Sequence, residues 1–317
     1  MRTGRTIERA DVTTPHSKIS YRDRRQNLPA HLFLAPWFIG LIVLTAGPML
    51  VSLYYSMTEY SLLTDPQWVG LRNYERMILA DDRFWASMGV TLRYVVIGVP
   101  LQLAFALAVA LLLNRGIRGL TAYRALYYLP SLLAGSVAIA VLWRQVFGLE
   151  GAFNVVLTGI GFDAPPNWIG NPDTALYTLI LLRVWEFGSP MVIFLAGLRQ
   201  IPAEYYEASA LDGAGKFGQF FKITLPLLTP IIFLNLILQL INAFQAFNSA
   251  FIVSEGTGGP LDSTLFFTLY LYQEAFTNFR MGYASALAWV LLAVIALFTA
   301  VSFLTSRYWV HYDDGGR

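Results

Sequence analysis

Six long apolar stretches limit what this chain can fold into. A helix needs about 20 mostly apolar residues to cross the hydrocarbon core of a bilayer. The chain of 317 residues is 56% hydrophobic and only 13% charged, whereas ordinary soluble domains are about 25% charged. We therefore predict an all-α, polytopic membrane protein with six transmembrane helices. The six stretches are residues 32–57, 92–113, 126–147, 175–198, 227–253 and 283–305.

Basic residues are unevenly divided between the two sides of these stretches. Counted on alternate sides, fifteen Lys and Arg residues fall on the side of the termini and five on the other side. Seven of the fifteen lie in the first 30 residues, which contain no apolar core of a signal peptide. Because positive charge is retained in the cytoplasm, the bias predicts a multi-pass protein of the cell membrane with both termini cytoplasmic.

Composition argues against several kinds of chemistry. The chain has no cysteine, and its three histidines, at positions 16, 31 and 311, are far apart in sequence. A thiolate or histidine metal site and a histidine-based catalytic triad are therefore not expected. The net charge of +2, with no basic block carrying interleaved aromatics, gives no reason to expect nucleic-acid binding.

The longest polar interruption of the second half, residues 204–226, contains the sequence GAGK. A phosphate-binding loop reads G-x-x-x-x-G-K-[ST], because successive backbone amides surround the phosphates and a hydroxyl holds magnesium. With Gly215 and Lys216 as the G-K pair, the first glycine is replaced by Ala210 and the hydroxyl residue by Phe217. We therefore do not expect a nucleotide site here.

The same segment has the pattern of two short helices. Pro202 suits a first helical turn, the residues AEYYEASAL favour a helix, and Asp212-Gly213 ends it. A second helix is predicted to begin near Lys216 and to lead through Leu225-Pro226 into the fifth stretch. Such a hairpin is longer than a simple connector needs to be, which favours a docking element. An interfacial hairpin that inserts Phe217, Phe220 and Phe221 into lipid headgroups fits the pattern equally well.

A spaced motif in this hairpin resembles a known family. Glu207-Ala208-Ser209, three residues, Gly213, nine residues and Ile223-Thr224-Leu225-Pro226 match the E-A-A, G, I-x-L-P pattern of the permease subunits of binding-protein-dependent ABC importers. Ser209 in place of the second alanine is the one departure. The stretches LFLAPWFIGLIVLTAGPMLVSLYYSM, VGLRNYERM, LYYLPSLLAGSVAIAVLW and FLAGLRQIPAEYYEASALDGA resemble the first permease of carbohydrate importers, similar to the maltose and glycerol-phosphate systems.

The resemblance implies a type I ABC importer permease fold. It implies a cytoplasmic tail at residues 1–30, a transmembrane domain at 31–308 with its core at about 88–306, a coupling loop at 203–226, and a cytoplasmic tail at 309–317. The coupling loop of such permeases fits a cleft in the ATP-binding subunit. Glu207 would pair with a basic residue there, Gly213 would provide the turn, and Ala208 and Ser209 would permit close approach. The residues carried over are Glu207, Ala208, Ser209, Asp212, Gly213, Ile223, Leu225 and Pro226.

The resemblance also implies partners. A second, different permease, two ATP-binding subunits and an external solute-binding protein would complete the transporter, and the partner subunits would bind ATP and magnesium. The chain itself would bind no cofactor or metal and would catalyse no reaction. Its remaining contact would be membrane lipid.

The fifth stretch carries an unusual polar series. Amides offer hydrogen-bond donors and acceptors, which sugar hydroxyls need, so the series can line a translocation path. It can equally hold helices together.

The fourth stretch carries the ionisable residues Arg183 and Glu186, with Trp185 between them. They lie three positions apart and can contact solute or form an internal ion pair. The candidate path residues are Asn235, Gln239, Asn242, Gln245, Asn248, Trp185 and Glu186.

The identity of the solute and two rival functions remain open at this level. The residues fit a sugar, a polyol or a glycerol-phosphate ester. A secondary transporter working alone would predict inverted repeats and ion-coupling carboxylates in the spans, and the sequence shows one such carboxylate, Glu186, and no evident repeat. A membrane-embedded enzyme would need a cluster of His, Asp or Glu near one interface, whereas here these residues are scattered.

Overall fold

The structure, a computed structural model, describes residues 27–115, 119–133 and 135–311. Most of the predicted N-terminal tail, residue Arg118 and the last six residues of the predicted C-terminal tail lie outside this part. Two antiparallel strands are present, β1 (Thr58–Ser61) and β2 (Thr64–Trp68). The α-helices of the described part are α1 (Asn27–Leu41), α2 (Gly47–Ser56), α3 (Arg72–Leu79), α4 (Asp82–Leu113), α5 (Leu120–Leu133), α6 (Val137–Phe147), α7 (Ala152–Gly159), α8 (Pro172–Trp185), α9 (Gly188–Leu198), α10 (Ala203–Leu211), α11 (Lys216–Gln219), α12 (Leu225–Phe244), α13 (Asn248–Val253), α14 (Phe267–Tyr272) and α15 (Met281–Trp309).

The chain divides into two compact units, Met1–Val51 and Ser52–Arg317. The described part of the first unit is helical, with one π-helical turn at Ile42–Ala46. In this turn the amide of Gly47 donates to the carbonyl of Ile42. Pro48 follows directly and has no amide hydrogen, which favours a local change in the helical hydrogen-bond pattern.

Four helices of the described residues are long and apolar enough to cross a membrane, and two bent pairs bring the number to six if each pair is one span. The four are Phe33–Ser56, Asp82–Leu113, Lys216–Phe244 and Met281–Trp309. The bent pairs are Ala122–Leu133 with Val137–Gly159, at 93°, and Pro172–Trp185 with Gly188–Leu198, at 42°. The third and fourth predicted spans are therefore broken helices.

The second and fifth spans have boundaries well away from the predicted residues. The second span begins ten residues earlier than expected, at Asp82, because the carboxylate of Asp81 accepts the amide of Phe84 at 3.1 Å and caps the helix. The fifth was expected to run to residue 253 but ends at Phe244, and α13 continues in a separate helix. The fifth span also begins earlier than the predicted residue 227, at Lys216.

Helix α4 lies at the centre of the second unit and packs against α8, α9 and α12. Its inner face carries small residues, Ala106 and Ala110, which are fully buried. Small side chains let helices approach closely in membranes, where packing has to replace the hydrophobic driving force. This close contact positions α8, α9 and α12 around one polar site.

The strands β1 and β2 form a short hairpin within the predicted all-α fold. The side-chain amide of Asn73, in α3, donates to the carbonyls of Ser56 and Thr58, both at 2.9 Å. At the start of α15, a Cβ on Gly282 would come within 2.1 Å of the Thr58 carbonyl, so only glycine fits against β1. These contacts come from distant parts of the chain, which is why the local sequence did not reveal the hairpin.

Asp81 also joins three helices at the N-terminal end of α4. Its carboxylate accepts hydrogen bonds from the hydroxyls of Tyr270 in α14 and Tyr283 in α15. Burial raises the pKa of Asp81, but these bonds and those from the amides of Phe84 and Arg83 outweigh it, so the net pKa is lowered. The carboxylate therefore stabilises the fold above its unfolded-state pKa of about 3.9, and this is lost only as pH falls through the lowered value.

Candidate functional site

A polar cavity of about 410 Å³ lies where three helices are interrupted. The interruptions separate α5 from α6, α8 from α9, and α12 from α13. Non-helical backbone at membrane depth is tolerated where it lines a cavity or is buried in protein. Interrupted helices that converge on one cavity are the arrangement found where transporters hold their solutes.

The cavity wall is mostly polar and comes from six helices and the three breaks. It contains five amide side chains, three serine hydroxyls, one arginine and one glutamate. The lining residues are Tyr94, Gln102, Ser131, Gly135, Arg183, Glu186, Ser189, Pro190, Gln239, Asn242, Gln245, Ala246, Phe247, Asn248 and Ser249.

Ser131 of α5 connects the two halves of the break between α8 and α9. Its hydroxyl donates to the carbonyl of Glu186 at 2.9 Å and accepts the amide of Ser189 at 2.8 Å. The side chain of Gln102, in α4, donates to the same Glu186 carbonyl at 3.1 Å. Side chains of two neighbouring helices thus satisfy backbone groups that the break leaves unpaired, and they fix its geometry.

Gly188 permits this close approach of α5. A Cβ at Gly188 would lie 2.5 Å from the carbonyl oxygen of Tyr127, 2.8 Å from the Cα of Tyr128 and 3.0 Å from the hydroxyl of Ser131. The first two are backbone atoms, which cannot move aside by a rotamer change. Glycine is therefore required where α9 begins.

Arg183 and Glu186 do not form the ion pair that their spacing suggested. Among the described residues, the salt bridges join Arg72 to Glu59, Arg83 to Asp262, Arg144 to Glu255 and Arg280 to Glu274. The spacing argument assumed one continuous helix, whereas α8 ends at Trp185 and Glu186 follows it in the break.

Arg183 is directed to α12 instead. Its Nη2 donates to the backbone carbonyl of Gln239 at 2.6 Å and lies 3.3 Å from the side-chain oxygen of the same residue. Its guanidinium carbon lies 5.6 Å from the centroid of the Tyr94 ring, and its stem passes Gly98, where a Cβ would come within 3.1 Å. The buried arginine thus ties α8 to α12 beside the cavity.

Four of the five predicted polar residues of the fifth stretch reach the cavity wall: Gln239, Asn242, Gln245 and Asn248. On a continuous helix the last two would turn away from the others. The end of α12 at Phe244 brings them back to the wall. Asn248 also donates to the carbonyl of Gly135, in the break before α6, at 2.8 Å.

Two predicted path residues are not on the wall. Asn235 is fully buried, and its amide lies 3.4 Å from the carbonyl of Pro190 in α9, so it fits the alternative role of holding helices together. The ring of Trp185 packs 6.1 Å from the ring of Trp143 in α6. Helical spacing alone could not distinguish these positions from their neighbours.

The hairpin of α10 and α11 forms as the sequence predicts. Gly213 has a φ of +81°, in the left-handed region. The amide of Gly213 donates to Ala210, and the amide of Ala214 to Ser209, at 3.1 and 2.9 Å. These two bonds are a Schellman motif, which ends a helix at a glycine.

Polar contacts inside the hairpin hold α10 against the following helix. The side-chain amide of Gln219 donates to the carbonyl of Tyr206 at 3.1 Å and to the hydroxyl of Ser209 at 3.0 Å. The hydroxyl of Tyr206 lies 2.9 Å from that of Thr224. Ser209, the one departure from the E-A-A pattern, thus contributes a hydrogen bond that alanine would not provide.

The tip of the hairpin presents large apolar side chains. Leu211 is 91% exposed and Phe217 is 83% exposed. Phe221, Glu207, Ala208, Asp212 and Gly213 are exposed as well, whereas Ile223, Leu225 and Pro226 are partly buried at the base. The exposed part has the mixed apolar and acidic character of a docking surface.

The hairpin and the cavity share one helical run. From Lys216 to Phe244 the helix continues through a π-helical turn at Phe220–Thr224 into α12. From sequence, a second short helix was predicted to begin near Lys216 and to lead through Leu225-Pro226 into the fifth stretch. In the structure a rigid element about 40 Å long joins the base of the hairpin to Gln239 and Asn242.

Residues 95–310 match the model of a protein family described as the binding-protein-dependent transport system inner membrane component. The chain belongs to this family. It is a permease subunit of an ABC importer, a multi-pass membrane component of a transporter and not an enzyme. The family resemblance and the fold predicted from the hairpin motif are thereby confirmed.

Relatives of this permease match over most of their length. A probable ABC transporter permease protein, YesP of Bacillus subtilis, is 52% identical over 92% of this chain and 94% of its own. The trehalose/maltose transport system permease protein MalF of Thermococcus litoralis is 30% identical over 92% and 97%. The lactose transport system permease protein LacF of Rhizobium radiobacter is 30% identical over 93% and 99%.

A solved structure supports the fold. A chain of a bacterial alginate ABC transporter, in complex with an alginate pentasaccharide-bound periplasmic protein, matches with a TM-score of 0.78. The match covers 90% of this permease and 96% of that chain at 20% sequence identity. At this identity the likeness concerns the fold.

Proposed function

We propose that this permease forms half of the translocation path of an ATP-driven importer for a sugar or oligosaccharide. The observation that carries the proposal is the amide-rich cavity at the three helix breaks, joined by one continuous helix to the exposed hairpin. The cavity would hold the solute in transit, and the hairpin would receive the movement of an ATP-binding subunit.

The chemistry of the wall favours a neutral, hydroxyl-rich solute. Amide and hydroxyl side chains can both donate to and accept from sugar hydroxyls. The one arginine of the wall already contacts Gln239 through its Nη2, and Glu186 adds an acidic group. An anionic glycerol-phosphate ester would meet little free positive charge there, whereas a polyol remains compatible. Relatives named for lactose and for trehalose/maltose transport support the same class.

The exposed amides indicate how the path would be completed. Asn242, Gln245 and Asn248 are exposed in this chain although they line the cavity. Buried polar groups in a membrane bundle are costly unless they face a partner or a water-filled space. We propose that a second permease, different from this one, closes the cavity on this side.

The hairpin would dock onto one of two ATP-binding subunits. Glu207 would pair with a basic residue of that subunit, and Leu211, Phe217 and Phe221 would fill an apolar cleft. The bias in Lys and Arg supports a cytoplasmic location of the hairpin and both termini. An external binding protein would deliver solute at the other end. Closure of the ATP-binding subunits would move the hairpin and α12 together and shift the cavity between two openings.

Transport by the reconstituted complex tests the solute class. We expect vesicles containing both permeases, the ATP-binding subunits and the binding protein to accumulate a labelled oligosaccharide when ATP is present on the cytoplasmic side. Uptake of neutral oligosaccharides, polyols and glycerol-phosphate should be compared at equal concentration. Accumulation of glycerol-phosphate in preference to every neutral sugar would contradict the proposed class.

Replacing an amide of the cavity wall should reduce solute uptake without affecting assembly of the complex. Asn242→Leu keeps the approximate shape of the side chain, and among the described residues the Asn242 side chain has no hydrogen-bond partner to lose. One neutral hydrogen bond contributes about 1 kcal/mol, so uptake at limiting solute should fall about fivefold. Gln239→Leu is less specific because it also removes the contact with Arg183.

The control for this substitution is Asn242→Gln, which retains the amide. It should keep more of the uptake than Asn242→Leu does, and both complexes should assemble with equal yield. Unchanged uptake in Asn242→Leu and in the corresponding variants of Gln245 and Gln239 would rule out the cavity as the solute path.

A further inference from the structure

The segment between the first two spans, together with the first turn of the second span, exposes an apolar and aromatic surface. Its members are 55% to 76% exposed, although each is a large apolar residue. We call them the α3 patch: Trp68, Leu71, Ile78, Leu79 and Trp85. Several large apolar side chains exposed on one short segment indicate an interaction surface.

The opposite side of α3 is held firmly by the protein. Met77 is buried, and the hydroxyl of Tyr74 donates to that of Ser56 at 2.8 Å. The side chain of Asn73 binds the carbonyls of Ser56 and Thr58. The helix is therefore fixed against the end of the first span, and its outward face has a defined direction.

Aromatic contacts place the patch at the level where two spans end. Trp68 lies 5.8 Å, ring to ring, from Tyr54, which is two residues before the end of the span Phe33–Ser56. Trp85 lies in the first turn of α4, and its indole nitrogen donates to the carbonyl of Ile78 at 3.1 Å. Trp and Tyr are enriched at both membrane–water boundaries, where the ring is apolar and one atom is polar.

One end of the patch is aligned with an exposed apolar residue farther along α4. Eleven positions separate Trp85 from Val96, so the two lie within about 20° of each other around the helix. Both are exposed. Val96 lies within the span Asp82–Leu113, at the level of the lipid chains.

The charged side chains of α3 suit the headgroup region of the bilayer. Arg72 and Arg76 are exposed on the side of Leu79, and Glu75 is exposed between Leu71 and Leu79. A guanidinium nitrogen of Arg72 lies 3.8 Å from a carboxylate oxygen of Glu59. Long basic side chains reach headgroup phosphates while their stems cover apolar surface. A helix with this mixture lies in the headgroup region, with its apolar side toward the acyl chains.

We propose that α3 is an interfacial helix and that the α3 patch rests on the bilayer at the boundary between headgroups and acyl chains. This contact would anchor the connection between the first two spans. It follows from family membership and from the surface of α3, so it stands whichever solute the transporter carries.

Site-directed spin labelling of the assembled transporter tests the proposal. The chain has no cysteine, so Ile78→Cys provides one thiol in this subunit when the cysteines of the other subunits are replaced. The labelled complex is reconstituted in vesicles of phosphatidylcholine and phosphatidylglycerol. Collision of the nitroxide with oxygen, which concentrates in lipid, is compared with collision with a water-soluble nickel chelate.

We expect the oxygen-to-nickel collision ratio at Ile78→Cys to exceed that at the matched control Arg76→Cys by about threefold or more. Leu71→Cys, on the same face, should behave like Ile78→Cys if the latter fails to assemble. A ratio at positions 71 and 78 equal to that at 76 would show contact with water. Low collision with both reagents at 71 and 78 would show cover by another subunit. Either result would overturn the proposal.

Discussion

Glu207→Arg is expected to abolish ATP-driven uptake while leaving the permease folded. Glu207 is exposed on α10, and among the described residues its side chain takes part in no hydrogen bond or salt bridge. Reversal of its charge therefore has little effect within this chain. Under the proposed function it would place a cation opposite a basic residue of the ATP-binding subunit. Losing a desolvated charge pair costs about 2 to 5 kcal/mol, so uptake should fall by about 100-fold.

The control is Glu204→Arg, which makes the same charge change at another exposed glutamate of α10. This substitution should reduce the free energy of unfolding by no more than the effect of the helix dipole, about 0.3 to 1 kcal/mol. Copurification of the ATP-binding subunit separates a loss of docking from a loss of coupling. If the Glu207→Arg complex assembles and transports like the Glu204→Arg complex, Glu207 has no role in coupling.

Gly188→Ala is the second substitution expected to have a large effect. Its new Cβ would meet the backbone of Tyr127 and Tyr128, at 2.5 and 2.8 Å, so α5 would have to move away from α9. Overpacking of this kind costs about 1 to 3 kcal/mol, and each bond lost from Ser131 adds about 1 kcal/mol. We expect the thermal unfolding midpoint of the purified complex to fall by about 6 °C or more. Uptake should fall at least about tenfold as the wall is displaced.

The matched control is Gly89→Ala, since a Cβ at Gly89 meets nothing within 4 Å and alanine is the better helix former. Its stability and uptake should equal or exceed those of the wild type. Ser131→Ala removes both hydrogen bonds without adding volume, and it should reduce uptake even if the Gly188→Ala complex cannot be purified. Wild-type stability and uptake in Gly188→Ala would show that close contact with α5 does not set the break.

The hairpin was predictable because its determinants are local. Pro202, the helix-forming residues after it and Gly213 define the two helices without any distant contact. The spacing from Glu207 to Pro226 also allowed the family to be predicted, because it matches a motif of ABC importer permeases. The docking role of its individual residues stays a prediction.

The cavity was predictable only in part. The amides of the fifth stretch predicted a polar lining, because amide side chains without polar partners are energetically unfavourable in a membrane. Glu186 was predicted with these amides, but their grouping with Ser131 and Gln102 did not follow from sequence, since it depends on where α5, α8 and α12 end. The missed residues, Ser131 and Gly188, look ordinary in sequence, and their roles come from atoms of neighbouring helices.

By itself the sequence determined the class of fold, because apolar stretches of membrane-spanning length allow few alternatives in lipid. It also determined the hairpin and the family, through local turn chemistry and a spaced motif. Tertiary structure alone decided that the third and fourth spans are broken, that Arg183 contacts α12 and not Glu186, and which amides reach the cavity. The physical reason is that a broken helix needs distant side chains to satisfy its free backbone groups. Those partners, Ser131, Gln102 and Asn248, become neighbours of the breaks only when the helices pack.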